Sequence, residues 1–124
     1  MKTYIKNLQK LRILTSFYRN QVQFFATGTL EDEQLLRKLR ILTFGAGNAD
    51  PFQQELLALL QDESLPLKKR LMAIVTRLQT ALEELNDNAE EAEREAYQKL
   101  AEFIHIDICE MQCLLGDFIP EADD

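Results

Sequence analysis

The chain has 124 residues, a net charge of −7 and 46% hydrophobic residues, a composition that excludes a disordered chain and fits one globular domain. The longest apolar run, residues 56–60, is too short for a membrane span, and the charged first residues exclude a signal peptide. Two cysteines four residues apart do not form a secreted disulfide framework. We therefore expect a cytoplasmic protein that does not act in a membrane.

The charge is unevenly distributed. Residues 1–48 contain eight basic and three acidic residues, whereas residues 49–124 contain six basic and eighteen acidic residues. This polarity is typical of packed helices of opposite sign or of complementary subunits. Nucleic-acid binding is not expected, because the isoelectric point is about 4.7. The basic candidates for such binding are Lys2, Lys6, Lys10, Arg12, Arg19, Arg37, Lys38 and Arg40.

The first predicted helix covers about residues 3–26 and is apolar on two sides. One set of apolar residues recurs at steps of three and four, which places it on one helical face. A second strip, formed by Ile13, Phe17 and Phe24, lies on a different side. Such a helix has to be covered twice, by its own domain or by another subunit. The set predicted to face the core is Tyr4, Leu8, Leu11, Leu14, Tyr18, Val22 and Phe25.

The hexapeptide KLRILT occurs twice, at residues 10–15 and at residues 38–43. The second copy lies in the second predicted helix, which covers about residues 30–44. In both copies two leucines three residues apart face the predicted core, and the basic residues flank them. The likeness ends after the threonine. We interpret the repeat as a packing pattern that amphipathic helices share, and not as a duplicated binding site.

The stretch GAGNAD, residues 45–50, superficially resembles a phosphate-binding glycine loop. Such a loop should follow a strand, whereas this stretch follows a helix. Gly45 is typical of a helix end, and Asp50, Pro51 and Gln53 predict the capped start of a third helix over about residues 51–61. The stretch is therefore interpreted as a linker.

The last two predicted helices cover about residues 66–85 and 89–119, with Pro66 preventing an earlier start. Their apolar residues alternate in steps of four and three, which predicts a long antiparallel hairpin. Counting outward from the turn places Pro66 opposite Ile108, so the end of the last helix overhangs its partner. The first helix has to cover that overhang, from the same chain or from a second copy. The overhanging apolar residues are Met111, Leu114, Leu115, Phe118 and Ile119.

One group of residues could hold a metal ion. His105, Cys109 and Cys113 follow one another at steps of four, and an adjacent pair could bind zinc or Cu(I). The chain has no other histidine or cysteine to complete the site. A second packing surface is therefore the favoured interpretation, and no cofactor is expected. A Cys109–Cys113 disulfide is not expected either, since Cβ atoms at this spacing lie about 5–6 Å apart.

These observations predict an all-α domain over residues 1–124, with five helices, a four-helix-bundle-like core and an antiparallel C-terminal hairpin. The function expected is a non-catalytic protein–protein interaction module, such as a small adaptor, chaperone-like or regulatory protein, that forms a homodimer. Its partner protein is not identified. The alternative is a ligand or metal sensor that uses the His105/Cys109 stripe. The candidate interface residues are Ile13, Phe17, Phe24, Met111, Leu114, Leu115, Phe118 and Ile119.

Overall fold

The computed structural model describes the backbone of residues 2–44 and 50–117 and the side chains of residues 3–44 and 50–116. The linker at residues 45–49 and the candidate residues Phe118 and Ile119 lie outside these ranges. All the regular structure described is helical, which confirms the all-α prediction. No described helix combines the length and the apolar character that crossing a membrane requires. The helices are α1 (Lys2–Ala26), α2 (Asp32–Phe44), α3 (Pro51–Leu60), α4 (Leu67–Asp87), α5 (Glu91–Ala96) and α6 (Gln98–Asp117).

The single long helix predicted at the C-terminal end is two helices, so the predicted count of five is wrong for the described residues. The helical backbone is interrupted at Tyr97, where φ is −117° and ψ is 23°. The short α5 before it begins at Glu91, after a capping box between Glu90 and Glu93, and not at residue 89 as expected. Neither glycine nor proline marks the interruption, and for this reason the apolar pattern runs through it without a visible break.

Local signals fix most of the other helix ends. The predicted capping box of α3 is present: the Asp50 side chain accepts from the Gln53 amide at 2.8 Å, and Gln53 Oε1 accepts from the Asp50 amide at 2.9 Å. Helix α1 ends in a Schellman motif, in which Gly28 has a φ of +82° and the Thr29 amide donates to the Phe24 carbonyl at 2.8 Å. Helix α2 begins two residues later than predicted, at Asp32.

Helices α1 and α6 lie side by side and run in the same direction. Near the start of both helices the rings of Tyr4 and Tyr97 meet edge to face at 6.5 Å. Farther along, the Arg12 guanidinium lies 4.7 Å from the centre of the Phe103 ring. Near the far end, Arg19 Nε donates to Glu110 Oε2 at 2.6 Å. The first helix therefore covers the last helix within one chain, and Met111 and Leu115 are buried there.

Helix α4 runs in the opposite direction to α1 and α6. The Tyr4 hydroxyl donates to Asn86 Oδ1 at 3.1 Å, and Gln112 Nε2 donates to Gln79 Oε1 at 3.1 Å. Helix α4 extends far beyond Gln79 toward its first residue, whereas α6 continues for only one further turn after Gln112. The described part of α6 therefore has no overhang beyond α4. The predicted pairing of Pro66 with Ile108 is wrong because α5 occupies the connection and shifts the register.

Helices α2 and α3 complete the core. Helix α2 returns along α1, where the Tyr18 hydroxyl is hydrogen-bonded to Thr43 Oγ1, and α3 packs against α2 and α4. Arg77 of α4 forms a hydrogen bond with α3, in which its Nε donates to Glu55 Oε2 at 2.7 Å. The largest fully buried side chains are Tyr18, Leu8, Leu35, Leu39, Leu56, Leu60, Leu71, Ile74, Leu78, Ile104, Ile108 and Met111.

The two KLRILT copies have the same exposure at every position. In each copy the lysine, the arginine and the isoleucine are exposed, the first leucine and the threonine are buried, and the second leucine is half-buried. The copies lie on α1 and α2, which pack against each other. The matching exposure supports the packing interpretation of the repeat.

Candidate functional site

A stripe of apolar side chains on α1 is exposed to solvent. Ile13, Phe17 and Phe24, which we name the α1 stripe, are 59%, 44% and 48% exposed. At 100° per residue the three lie within about 40° of one another, on the side of α1 opposite its buried face. The predicted two-sided character of this helix is therefore confirmed: one side is buried in the core, and the described residues leave the other side exposed.

An open groove of about 630 Å³ adjoins the α1 stripe. Ile13 and Phe17 belong both to the stripe and to the groove wall. The groove lies between α1, the start of α3 and the end of α4, and an ion pair between Lys10 Nζ and Asp50 Oδ2 at 3.4 Å closes part of its rim. Most of its floor is apolar, which makes it suitable for hydrocarbon side chains. Its other apolar residues are Leu11, Leu14, Leu42, Pro51, Phe52, Ala81 and Leu85.

The interface residues predicted on the last helix are less accessible than those on α1. Met111 and Leu115 are buried in the single chain, and Leu114 is half-buried. Burial of these residues follows from the position of α1, which covers α6 directly. Ile13, Phe17 and Phe24 are therefore the more exposed part of the predicted interface.

Several other apolar residues are exposed that the sequence pattern did not identify as interface candidates. Ile41 occupies the same position in its KLRILT copy as Ile13 does in the first copy, so the repeat itself contained this signal. Phe103 is partly covered by the guanidinium of Arg12. The missed residues are Ile41, Phe44, Met72, Phe103 and Ile106.

The His105/Cys109 stripe lies on the surface of α6. His105 and Cys113 are exposed, Cys109 is half-buried, and both cysteines are free thiols. The described residues leave His105 and Cys113 uncovered, so a second packing surface on this side of α6 stays a prediction. The Cys109 Sγ atom lies 3.5 Å from His105 Nε2, within hydrogen-bonding distance for sulfur. The structure thus brings together the first two members of the group and leaves Cys113 one turn farther along.

A metal site within one chain is not supported by the described residues. Glu102 lies three residues before His105, a spacing that di-iron bundles use twice, but the chain contains only this one histidine. Within residues 2–44 and 50–117 no group of three or more histidine, cysteine, aspartate or glutamate side chains could hold a metal ion. A metal bound by His105 and Cys109 would need further ligands from outside the described residues.

Three basic residues of α1 are engaged by other parts of the chain. Lys10 pairs with Asp50, Arg12 lies over Phe103, and Arg19 pairs with Glu110. These contacts support the interpretation of the charge polarity as packed helices of opposite sign. They also leave less positive charge on α1 for an anionic partner.

The contact between α1 and α6 also affects a half-buried carboxyl group. Burial raises the pKa of Asp107 above its usual range, Arg19 acts against this rise, and Glu110 adds to it. The ionised form of Asp107 is therefore less stable in this fold than in water.

No protein-family model, curated protein or solved structure matches this chain. The α1 stripe with its groove and the His105–Cys109 pair are therefore the features from which a function can be proposed.

Proposed function

We propose that this protein is a non-catalytic protein–protein interaction module, a small adaptor, chaperone-like or regulatory protein, that assembles as a homodimer through the α1 stripe. The observation that carries the proposal is the exposure of Ile13, Phe17 and Phe24 on one helical face. Covering apolar surface yields roughly 25 cal/mol per Å² removed from water, and aligned apolar residues of this kind mark interaction sites.

A second copy of the chain is the occupant that suits this surface. Ile13 and Phe17 project from α1 and also form part of the groove wall. One surface can therefore both insert side chains and receive them, which is the requirement of a symmetric dimer contact. On each copy the contact surface would include both the stripe and the adjoining groove, because Ile13 and Phe17 belong to both.

The charges of α1 favour an antiparallel contact between the two copies. Helix α1 contains Lys6 and Lys10 beside the stripe and no acidic residue. A parallel contact would place each lysine next to its own copy, and like charges at short range repel. An antiparallel contact separates them, opposes the two helix dipoles and brings Ile13 of one chain next to Phe17 of the other.

The proposal includes a four-helix-bundle-like core made by α1, α2, α4 and α6. The opposite directions of α4 and α6, seen in the hydrogen bond between Gln79 and Gln112, support the antiparallel pair that the sequence predicts. A non-catalytic role is supported by the surroundings of His105. The imidazole lies on the open surface. Among the described residues no side chain besides Cys109 hydrogen-bonds to it, so the ring lacks the third group that orients the base in a catalytic triad.

The mass of the protein in solution tests the proposal. Light scattering should give about 29 kDa, twice the chain mass of 14.4 kDa. Phe17→Glu should reduce this to the monomer mass, because a charge cannot be buried in an apolar contact without a partner. Met72→Glu is the matched control, since Met72 on α4 is also 44% exposed, and it should remain dimeric. A monomer mass for the unmodified protein at every concentration would overturn the homodimer.

A ligand or metal sensor that uses the His105/Cys109 stripe is the second candidate. The distance of 3.5 Å between the imidazole nitrogen and the thiol sulfur favours it, because the two ligand atoms already lie side by side. Two copies together would supply four ligands, the number that zinc takes in structural sites. Elemental analysis of protein purified without chelator tests the metal-sensor function. Near-stoichiometric zinc or copper would support it, and metal-free protein would contradict it.

A further inference from the structure

The thiol of Cys109 differs from that of Cys113 in having a neighbouring imidazole and in being half-buried, whereas Cys113 is exposed. Cys109 Sγ lies 3.5 Å from His105 Nε2, so the thiol can donate its proton to that nitrogen when the ring proton is on Nδ1. Cys113 lies two helical turns from His105, too far for the same contact. The two cysteines lie on one helix, and the more exposed Cys113 serves as the internal control for Cys109.

The surroundings of Cys109 leave room for a small molecule. A shallow cavity of about 380 Å³ contains His105, Cys109 and Cys113, with Ile106 and Leu114 as its apolar part. Arg19 and Glu110 form its polar rim, where they are already paired with each other. Because the cavity is open to solvent on the His105 side, a compound can approach the sulfur without a change in the fold.

We propose that Cys109 is a reactive thiol site that forms mixed disulfides with low-molecular-weight disulfides such as oxidised glutathione, with His105 as the proton acceptor. The Cys109 sulfur attacks one sulfur of the small disulfide while its proton passes to His105 Nε2. The sulfur–sulfur bond of the small molecule breaks as the new bond to Cys109 forms. The released thiolate then takes the proton from the imidazolium. One disulfide is consumed and one is formed, so no further oxidant is required.

The rate at each cysteine tests the proposal, because accessibility and base assistance predict opposite orders. Cys113 is the more exposed thiol, so access alone would make it react first. We expect Cys109 to react at least about fivefold faster, a modest effect beside the roughly 10²–10⁴-fold of a fully positioned base. The full-length protein is treated with oxidised glutathione at neutral pH, and mass spectrometry of the peptides follows both sites over time. Faster modification of Cys113 would overturn the proposal.

Two variants separate the role of the imidazole from that of the local structure. His105→Gln should slow Cys109 at least fivefold and leave Cys113 unchanged, since the His105 side chain is exposed and its replacement leaves the buried residues as they are. Cys109→His places an imidazole four residues before Cys113 and should accelerate Cys113 relative to the Cys109→Ser protein. An unchanged Cys109 rate in His105→Gln, or an unchanged Cys113 rate in Cys109→His, would show that the imidazole does not act as the proton acceptor.

Discussion

The hydroxyl of Tyr18 donates a hydrogen bond to Thr43 Oγ1, and Thr43 donates its own proton to the Leu39 carbonyl oxygen at 2.6 Å. The two side chains are buried and join α1 to α2. The equivalent threonine of the other KLRILT copy, Thr15, is equally buried, but its hydroxyl has no hydrogen-bond partner among the described residues. The two copies therefore have the same packing and different hydrogen bonding.

Replacing each threonine by valine, which has nearly the same shape, should have opposite effects on stability. Thr43→Val should cost about 1–3 kcal/mol, because it leaves the Tyr18 hydroxyl buried without an acceptor. Thr15→Val should be neutral or stabilise the fold by about 1 kcal/mol, because it removes a buried polar group that is unpaired. Urea unfolding of the two variants gives both free energies. Equal destabilisation by both would show that the Thr15 hydroxyl is bonded.

The stability of the fold should fall at high pH because of Tyr18. Burial raises the pKa of Tyr18 to about 12. The unfolded chain loses the tyrosine proton near pH 10, before the folded chain does, so the unfolded state binds fewer protons between pH 10 and 12. The contribution of Tyr18 is therefore complete below pH 10 and is lost as the pH approaches 12, by about 2 kcal/mol.

Tyr18→Phe tests this pH dependence. Unfolding free energies measured from pH 8 to 12 should decline less steeply in the variant than in the unmodified protein. Some decline should remain, because burial also raises the pKa of Tyr4. An identical decline in the two proteins would show that the Tyr18 hydroxyl is not desolvated in the folded state.

Two glycines should respond to alanine in opposite directions. A Cβ atom at either position would meet no atom within 4 Å, so steric crowding does not enter the comparison. Gly28 has a left-handed backbone with a φ of +82°, and alanine there should cost about 1–2 kcal/mol. Gly116 lies within α6, where alanine should stabilise the helix by about 0.5–1 kcal/mol. Thermal unfolding of both variants should show one lower and one higher melting temperature.

The signals that the sequence analysis recognised are mainly local ones. Asp50, Pro51 and Gln53 form the capping box that their spacing predicts, because such a motif depends on residues within one turn. The start of α5 was misplaced for a related reason. Two possible capping pairs with the same spacing occur here, Asn88 with Glu91 and Glu90 with Glu93, and the structure uses the second.

Register and exposure depend on distant parts of the chain, so the sequence pattern did not determine them. The interruption at Tyr97 shifts the pairing between α4 and α6, yet no residue type in that region indicates it. The exposure of His105 and Cys113 depends on which faces of α6 are taken by α1 and α4. The spacing of His105 and Cys113 places them outside the core face of α6. Spacing alone does not show whether another element covers them.

Cysteine cross-linking tests the antiparallel arrangement of the proposed dimer. In a background that carries Cys109→Ser and Cys113→Ser, a mixture of Ile13→Cys and Phe17→Cys chains should cross-link to each other. Phe24→Cys chains should not cross-link to themselves, because antiparallel pairing about the centre of Ile13 and Phe17 separates the two positions by about 27 Å at 1.5 Å per residue. Rapid self-linking of Phe24→Cys would indicate a parallel contact instead.

The contact between α1 and α6 has a consequence for the nascent chain. Arg19 and Glu110 are 91 positions apart, so the first helix leaves the ribosome long before the helix that covers it. Until then α2 can pack against α1, but the side of α1 that meets Phe103 and Glu110 has no cover. Closing so long a loop is entropically costly and delays the final packing step. Synthesis has to proceed through α6 before the buried side of α1 is protected from aggregation.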